Sequence, residues 1–208
     1  MICNNPRKGY RHWILGKKIK NEEGEIIGKL NKYIINWLTT NLNSLIMDRE
    51  CIIDSNIKRE GIIYYGTFRK WRSEHFTHHL QKGVTCSSSK KHWKKFEAIN
   101  CNCEMINKLS WEKGKEDLRK YKYSLYIEDE HTHDNFAFLA NRYYEALMCD
   151  VVVLFDHHCQ KTIDKSGYII PKEFVIPKDS NIAEYSKTLN YNEMLEIQRK
   201  NIEIAFKD

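Results

Sequence analysis

The sequence predicts an α/β protein whose parallel sheet carries helices on both faces. Three observations lead there. Between residues 61 and 155, short apolar runs alternate with segments of helical spacing, the order that parallel strands with helical crossovers require. One run, Val151-Val-Val-Leu-Phe155, is apolar at every position, as a strand buried on both faces must be. The chain has 208 residues, 41% of them hydrophobic, which is enough for a full core without disulfide or metal staples.

Residues 1–60 read as an N-terminal extension and residues 61–208 as the main domain. The extension opens with a basic stretch, Pro6-Arg-Lys-Gly-Tyr-Arg-His-Trp13, and turns at Asn21-Glu-Glu-Gly24. Ile27, Leu30, Ile34, Trp37 and Leu38 predict a helix within residues 26–45, and the polar residues 48–60 read as a connector. In the main domain Ile62-Ile-Tyr-Tyr is a strand stopped by Gly66, followed by a helix through Gln81. Gly83-Val-Thr-Cys86 is a second strand, then a serine turn and a helix over residues 90–100. Met105-Ile106 is a short strand, residues 116–121 a short helix, and Tyr123-Ser-Leu-Tyr-Ile127 a strand ending in Glu128-Asp129. Residues 135–148 are the best-patterned helix, with Phe136, Leu139, Ala140, Tyr143 and Leu147 turned to the core. After the strand at 151–155 come short strands at 167–170 and 174–176 and a helical tail from Ile182.

Composition narrows the function classes. The longest apolar run has strand length, far short of a membrane span. The opening residues Met1 to Lys8 lack the apolar core of a signal peptide. The cysteines number seven and suggest no paired framework, so reduced thiols and a cytoplasmic location are expected. A net charge of +6 favours anionic partners such as nucleotides or nucleic acid. Asp156-His-His-Cys159 spells the signature of membrane palmitoyltransferases, which need transmembrane helices that this sequence does not display. Cys101-Asn-Cys103 has no second pair at zinc-finger spacing. His131-Thr-His133-Asp134 offers imidazole and carboxylate but no third distant ligand, so no metal is assigned and contact with a sugar or phosphate is equally open.

Ligands of open α/β sheets bind beyond the carboxyl ends of the strands. Glu128-Asp129 lies at such an end, where a carboxylate can accept both hydroxyls of a ribose. Asn141 and Glu145, four apart, share a helix face away from the core stripe, and spacing alone favours a solvated face for them. Arg69-Lys-Trp-Arg72 follows the strand-ending Gly66, a place that turns an ordinary basic run into an anion candidate. Ser87-Ser-Ser-Lys-Lys91 also follows a strand and reads as a turn and cap.

Asn141-Arg-Tyr-Tyr-Glu-Ala-Leu147 followed by Val151-Val-Val-Leu-Phe-Asp156 resembles the donor-site segment of glycosyltransferases with the two-domain GT-B fold. Tyr64-Tyr-Gly-Thr-Phe-Arg-Lys-Trp-Arg72 resembles the opening of the same C-terminal, Rossmann-like domain. The order of motifs is similar to that of bacteriophage and large-virus glycosyltransferases, including those that decorate modified DNA bases. The resemblance covers about residues 61–177. It implies that Glu145 holds the nucleotide ribose, with Asn141 and Arg142 beside it. It implies that Gly66, Arg69, Lys70 and Arg72 meet the diphosphate. Retaining members often carry a second glutamate eight positions upstream of the first; Ala137 stands there, so His133 or Asp134 would serve the donor sugar. Residues 1–60 are short for an acceptor-binding domain, which implies a reduced acceptor half, a truncated or split gene, or a partner that supplies it.

The expected activity is transfer of a sugar from a nucleotide-diphosphate donor to an acceptor hydroxyl, with hydroxymethylated DNA as the leading acceptor and glycan or protein left open. Converging cations stabilise the leaving phosphate, so no metal or other cofactor is expected. An inverting enzyme needs a general base, usually from the acceptor domain, and no residue here is assigned to it. Two other readings stand beside this one: a non-catalytic nucleotide-sugar-binding module, and a nucleic-acid-binding protein working through Arg7 to Arg11. A homo-oligomer or a separate acceptor-domain partner is compatible with the first reading, and no membrane partner is expected.

Overall fold

A computed structural model describes residues 57–109, 117–128, 139–166 and 170–206. Five strands form one sheet: β1 (Ile62–Tyr65), β2 (Val84–Ser88), β3 (Glu104–Asn107), β4 (Tyr123–Tyr126) and β5 (Val152–Phe155). Their order is β3-β2-β1-β4-β5. Every neighbouring pair is parallel, with Ile62 opposite both Val84 and Tyr123, and Tyr123 opposite Val152. Helices α1 (Ser73–His79) and α2 (Lys90–Glu97) follow β1 and β2; α3 (Asn141–Met148) lies between β4 and β5. Helices α4 (Gln160–Ser166), α5 (Ile182–Tyr185) and α6 (Tyr191–Phe206) complete the described chain. This is a Rossmann-like sheet, and each predicted strand from 62 to 155 is present.

Successive residues of a strand face opposite sides of the sheet. Every residue of β2, β4 and β5 is buried, so both faces are covered. On one set of contacts Tyr64, Phe76 and Phe96 pack edge to face, with centroids 5.0–6.5 Å apart. This seats α1 and α2 against β1. Tyr126 and Tyr143 meet Phe155 at 4.9 and 5.7 Å and seat α3 against β4 and β5. The turn into β2 uses Gly83 at φ +95°, a left-handed conformation that a side chain disfavours.

The end of α3 is unusual in using Asp150 at φ 54°. Its carboxylate is held by Arg199 of α6, at 2.8 Å to Nη2 and 3.1 Å to Nε, a two-point clasp. One residue before Arg199, Gln198 is 5% exposed. Its side-chain amide accepts from Val153 N at 2.9 Å and donates to Val151 O at 3.0 Å.

Two expectations change. Residues 174–176 are not a strand: Lys172–Phe174 form a 3-10 turn, and only Val175 bridges Phe155. Pro171 and Pro177 bracket the segment, and proline donates no ladder hydrogen bond. Residue 170 is coil, while 167–169 lie outside the described residues. The described part of the helix expected over 135–148 begins at Asn141. The N-terminal helix predicted for 26–45 also lies outside the described residues. Packing into the sheet domain already includes residues before 61, since Arg59 donates to the carbonyls of Arg119 and Cys149 at 2.7 Å each.

Candidate functional site: the crevice between β1 and β4

From β1 the chain winds to β2 and β3 on one side, then crosses to β4 and β5 on the other. The strand order thus reverses between β1 and β4, and in such sheets the ligand crevice lies beyond the carboxyl ends of the strands at this point. Gly66, Thr67, Phe68, Arg69 and Lys70 follow β1 on one side of this point; Ile127 and Glu128 follow β4 on the other, and the described chain resumes just before α3.

Gly66 is required by space. A Cβ there would lie 2.8 Å from the Tyr64 hydroxyl oxygen and 3.2 Å from Cζ. Its N–H donates to Ser87 O at 3.0 Å, so the turn is bonded to the end of β2. Arg69 and Lys70 then emerge exposed at the rim. Beside them, at the end of β2, the Oγ atoms of Ser88 and Ser89 and the Nδ1 of His92 are buried without a hydrogen-bond partner.

Arg72 behaves differently from its basic neighbours. It is 3% exposed. Its Nε donates to the Glu128 carbonyl at 2.6 Å and its Nη1 to the Tyr64 hydroxyl at 3.4 Å. A buried guanidinium needs such acceptors, and they draw it into the protein rather than to a ligand at the rim. The expectation that Arg72 meets the diphosphate is corrected accordingly: it ties the β1 turn to the end of β4.

Glu128 is likewise buried, with no exposed surface. Its Oε2 accepts from the Tyr126 hydroxyl at 2.5 Å, and its Oε1 lies 3.8 Å from Nη2 of Arg142. Burial, and then the Glu128 charge, push the Tyr126 phenol well above its ordinary range, so it remains a donor. The strand-end carboxylate at 128 thus serves an internal network rather than a ribose. Asp129 lies outside the described residues.

Arg142 sits in the first turn of α3, its guanidinium 4.6 Å from the centre of the Tyr126 ring and bonded at 2.5 Å to Ile127 O. Its own carbonyl accepts from the Tyr65 hydroxyl, which joins α3 to β1 across the crevice. Glu145 follows one turn later and is 8% exposed. The expected solvated glutamate is therefore buried: Glu145, Ala146 and Leu147 in succession all face protein. The backbone of Asn141 opens α3, while its side chain, together with His133 and Asp134, lies outside the described residues. Of the predicted donor residues, Gly66, Arg69 and Lys70 follow β1, and Arg142 and Glu145 lie on the helix after β4, with Arg69 and Lys70 exposed and Glu145 buried.

The strand order, the glycine turn after β1 and the helix after β4 together fix the comparison. The domain resembles phage T4 β-glucosyltransferase. The β-glucosyltransferase in complex with UDP and Mn2+ superposes with TM-score 0.55 at 20% identity, covering 72% of this chain and 44% of that one. A mutant form of it in complex with UDP-glucose gives TM-score 0.57 at 19% identity, again over 72% of this chain and 45% of that one. A further structure, of the DNA-modifying enzyme in the presence and absence of uridine diphosphoglucose, gives 0.57 at 20%, over 72% of this chain and 48% of that one. The chain thus spans about half the length of the T4 glucosyltransferase structures it matches. At this identity the likeness establishes the fold alone, a Rossmann-like parallel sheet shared with part of those structures. No protein-family model matches the sequence, and no curated relative matches it. Among the described residues no helix is long and apolar enough to cross a membrane.

Proposed function

We propose that the crevice between β1 and β4 binds a nucleoside-diphosphate sugar, and that the domain is the donor half of a glycosyltransferase. Uridine diphosphate glucose is the donor to test first, because the T4 β-glucosyltransferase of like fold is described with it. What supports this reading is the tightly packed glycine turn with two exposed cations after β1, together with the donor-segment resemblance of Asn141 to Leu147 on the helix after β4. Glu145 accepts the ribose hydroxyls, with Asn141 and Arg142 next to it. Arg69 and Lys70 face the diphosphate, where charge develops as the sugar leaves. His133 and Asp134, on the loop after β4, contact the donor sugar. These cations replace a metal ion at the diphosphate. The acceptor is a hydroxyl, and hydroxymethylated DNA bases are the leading choice. The site of action is the cytoplasm, the host's if the gene is viral.

The test is calorimetric titration with UDP, UDP-glucose and their 2′-deoxyribose counterparts, in EDTA. Binding of UDP-glucose with preference for the ribonucleotide supports the reading, and a strict requirement for a divalent ion counts against the metal-free diphosphate site. Transfer is then followed with labelled UDP-glucose and DNA containing hydroxymethylcytosine. A second reading is a nucleotide-sugar-binding module that does not itself catalyse transfer. It predicts donor binding without turnover until a partner chain is added. A third reading, nucleic-acid binding through Arg7, Lys8 and Arg11, predicts DNA binding whose salt slope flattens when all three are replaced, and indifference to UDP-glucose.

A further inference from the structure

We propose that Asp156, His75 and His158 form a site for a zinc-class divalent transition metal. Asp156 follows β5 and has no exposed surface. His75 belongs to α1, and His158 to the 3-10 turn His157–Cys159 that leaves β5. The Nδ1 of His75 lies 3.1 Å from Asp156 Oδ2, and the Nδ1 of His158 lies 2.5 Å from Oδ1. One ligand atom from each of the three residues lies within 4.8 Å of the other two. In a tetrahedral zinc site with bonds of about 2.0–2.1 Å, ligand atoms are about 3.3 Å apart. Small side-chain rotations therefore bring this set onto one ion.

The surroundings favour an ion over a purely hydrogen-bonded cluster. Asp156 faces four imidazoles. His79 is fixed by its backbone partner: its Nδ1 accepts from Ile182 N at 3.2 Å, so its Nε2 carries the proton it gives to Asp156 Oδ2 at 2.7 Å. It is the orienting neighbour that a ligating carboxylate needs. His158 N also donates to Oδ1 at 2.9 Å. With His75 and His158 added, about four acceptor positions of the carboxylate are filled. His157, with its Nδ1 3.2 Å from Oδ1, stands as a fifth claimant. The rings of His75 and His158 stack at 4.0 Å with their Nδ1 atoms turned to the same carboxylate. An ion accepts the lone pairs of both imidazoles at once and relieves this crowding. Two imidazoles and a carboxylate suit zinc, and the fourth position is left to water.

Access and position agree with this. The side chains of His75 and His158 are 17% and 12% exposed, so the site is lined by protein but reached from solvent. Trp71 covers it, with its ring 6.0 Å from His75 and 5.3 Å from His158. The ion would fasten the start of α1, next to Arg69 and Lys70, to the end of β5. It is a clamp on the fold and makes no claim on the diphosphate, so it does not depend on the donor reading.

The experiment uses the full chain stripped with EDTA and titrated with Zn2+, and with Co2+ as an optical probe. One equivalent is expected to bind, raising Tm by about 5–10 °C at a concentration a hundredfold above Kd. His75→Gln and His158→Gln are each expected to weaken binding by at least about a hundredfold. The variant His131→Ala is expected to bind as the parent does. Absence of binding by the parent, unchanged affinity in both glutamine variants, or loss in the loop variant would each overturn the site. Should the glutamine variants fail to fold, the cobalt spectrum of the parent decides. Nitrogen and oxygen ligation supports the proposal, and a thiolate charge-transfer band, placing the ion on cysteines, refutes it.

Discussion

Glu128→Gln should destabilise the protein while leaving its shape intact. The carboxylate is fully buried, takes the Tyr126 hydroxyl at 2.5 Å and faces the Arg142 guanidinium at 3.8 Å. Glutamine keeps the size and one acceptor oxygen but removes the charge. Breaking a buried ion pair by removing one partner costs about 3–5 kcal/mol, because the other charge stays buried. Here the pair is at the long end of contact, and Arg142 retains the Ile127 carbonyl and the Tyr126 ring. The expected loss is therefore about 2–4 kcal/mol, a large part of a typical total of about 5–15 kcal/mol. In a chain of this length that lowers Tm by roughly 5–15 °C. Urea unfolding of the parent, Glu128→Gln, Arg142→Met and the double variant measures the pair directly. The two single losses should together exceed the double by about 1–3 kcal/mol. A coupling within about 0.5 kcal/mol of zero would refute the network, and with it the argument that Glu128 is internal rather than a ribose acceptor.

Three further outcomes are expected. Glu145→Gln should weaken UDP binding by about one to two decades, since hydrogen bonds to a charged group are worth roughly 1.5–3 kcal/mol; equal affinities by calorimetry would remove Glu145 from the site. Its burial adds a measurable cost in stability, which a ligand-free melting curve reports separately. Gly66→Ala should cost about 1–3 kcal/mol through the 2.8 Å approach to the Tyr64 hydroxyl, and Gly66→Ala combined with Tyr64→Phe should recover part of it; no recovery in urea unfolding would exclude that contact as the cause. Among the described thiols, Cys103 should be alkylated first by iodoacetamide near neutral pH. A hydrogen bond from Cys86 lowers its thiol, whereas burial raises Cys101 to about 12, and Cys86 and Cys159 also lie above their ordinary value. Peptide mapping that found Cys101 or Cys159 modified sooner would contradict this order.

Strands β1, β4 and β5 were legible because an apolar run is closed by a residue that stops it: Gly66 after β1, Glu128 after β4, Asp156 after β5. The same counting failed at 174–176, since apolarity does not register the missing N–H groups of Pro171 and Pro177. Arg69, Lys70 and Arg72 look alike in sequence. Only a carbonyl 56 residues away distinguishes the buried one. Glu145 looked solvated because a helical stripe presumes a wet face opposite the core, yet Glu145 is buried together with Ala146 and Leu147. The histidine cluster was hidden for the same reason. His75 and His79 lie one turn apart on α1, but they meet Asp156 across 81 and 77 residues. Local spacing could only offer Asp156-His-His-Cys159 as a coincidental signature.

The Gln198 amide has a consequence for assembly. Val151 O and Val153 N are the groups with which β5 would accept another strand, and one side chain fills both. It does for the sheet what a neighbouring backbone would do, and Val175 engages the next position at Phe155. Free strand edges invite pairing with other chains. On the β5 side that invitation is withdrawn, so any chain that docked there would do so by side-chain surfaces rather than by extending the sheet. Shortening α6 before Gln198 would reopen the edge, turning a self-contained domain into one prone to strand exchange.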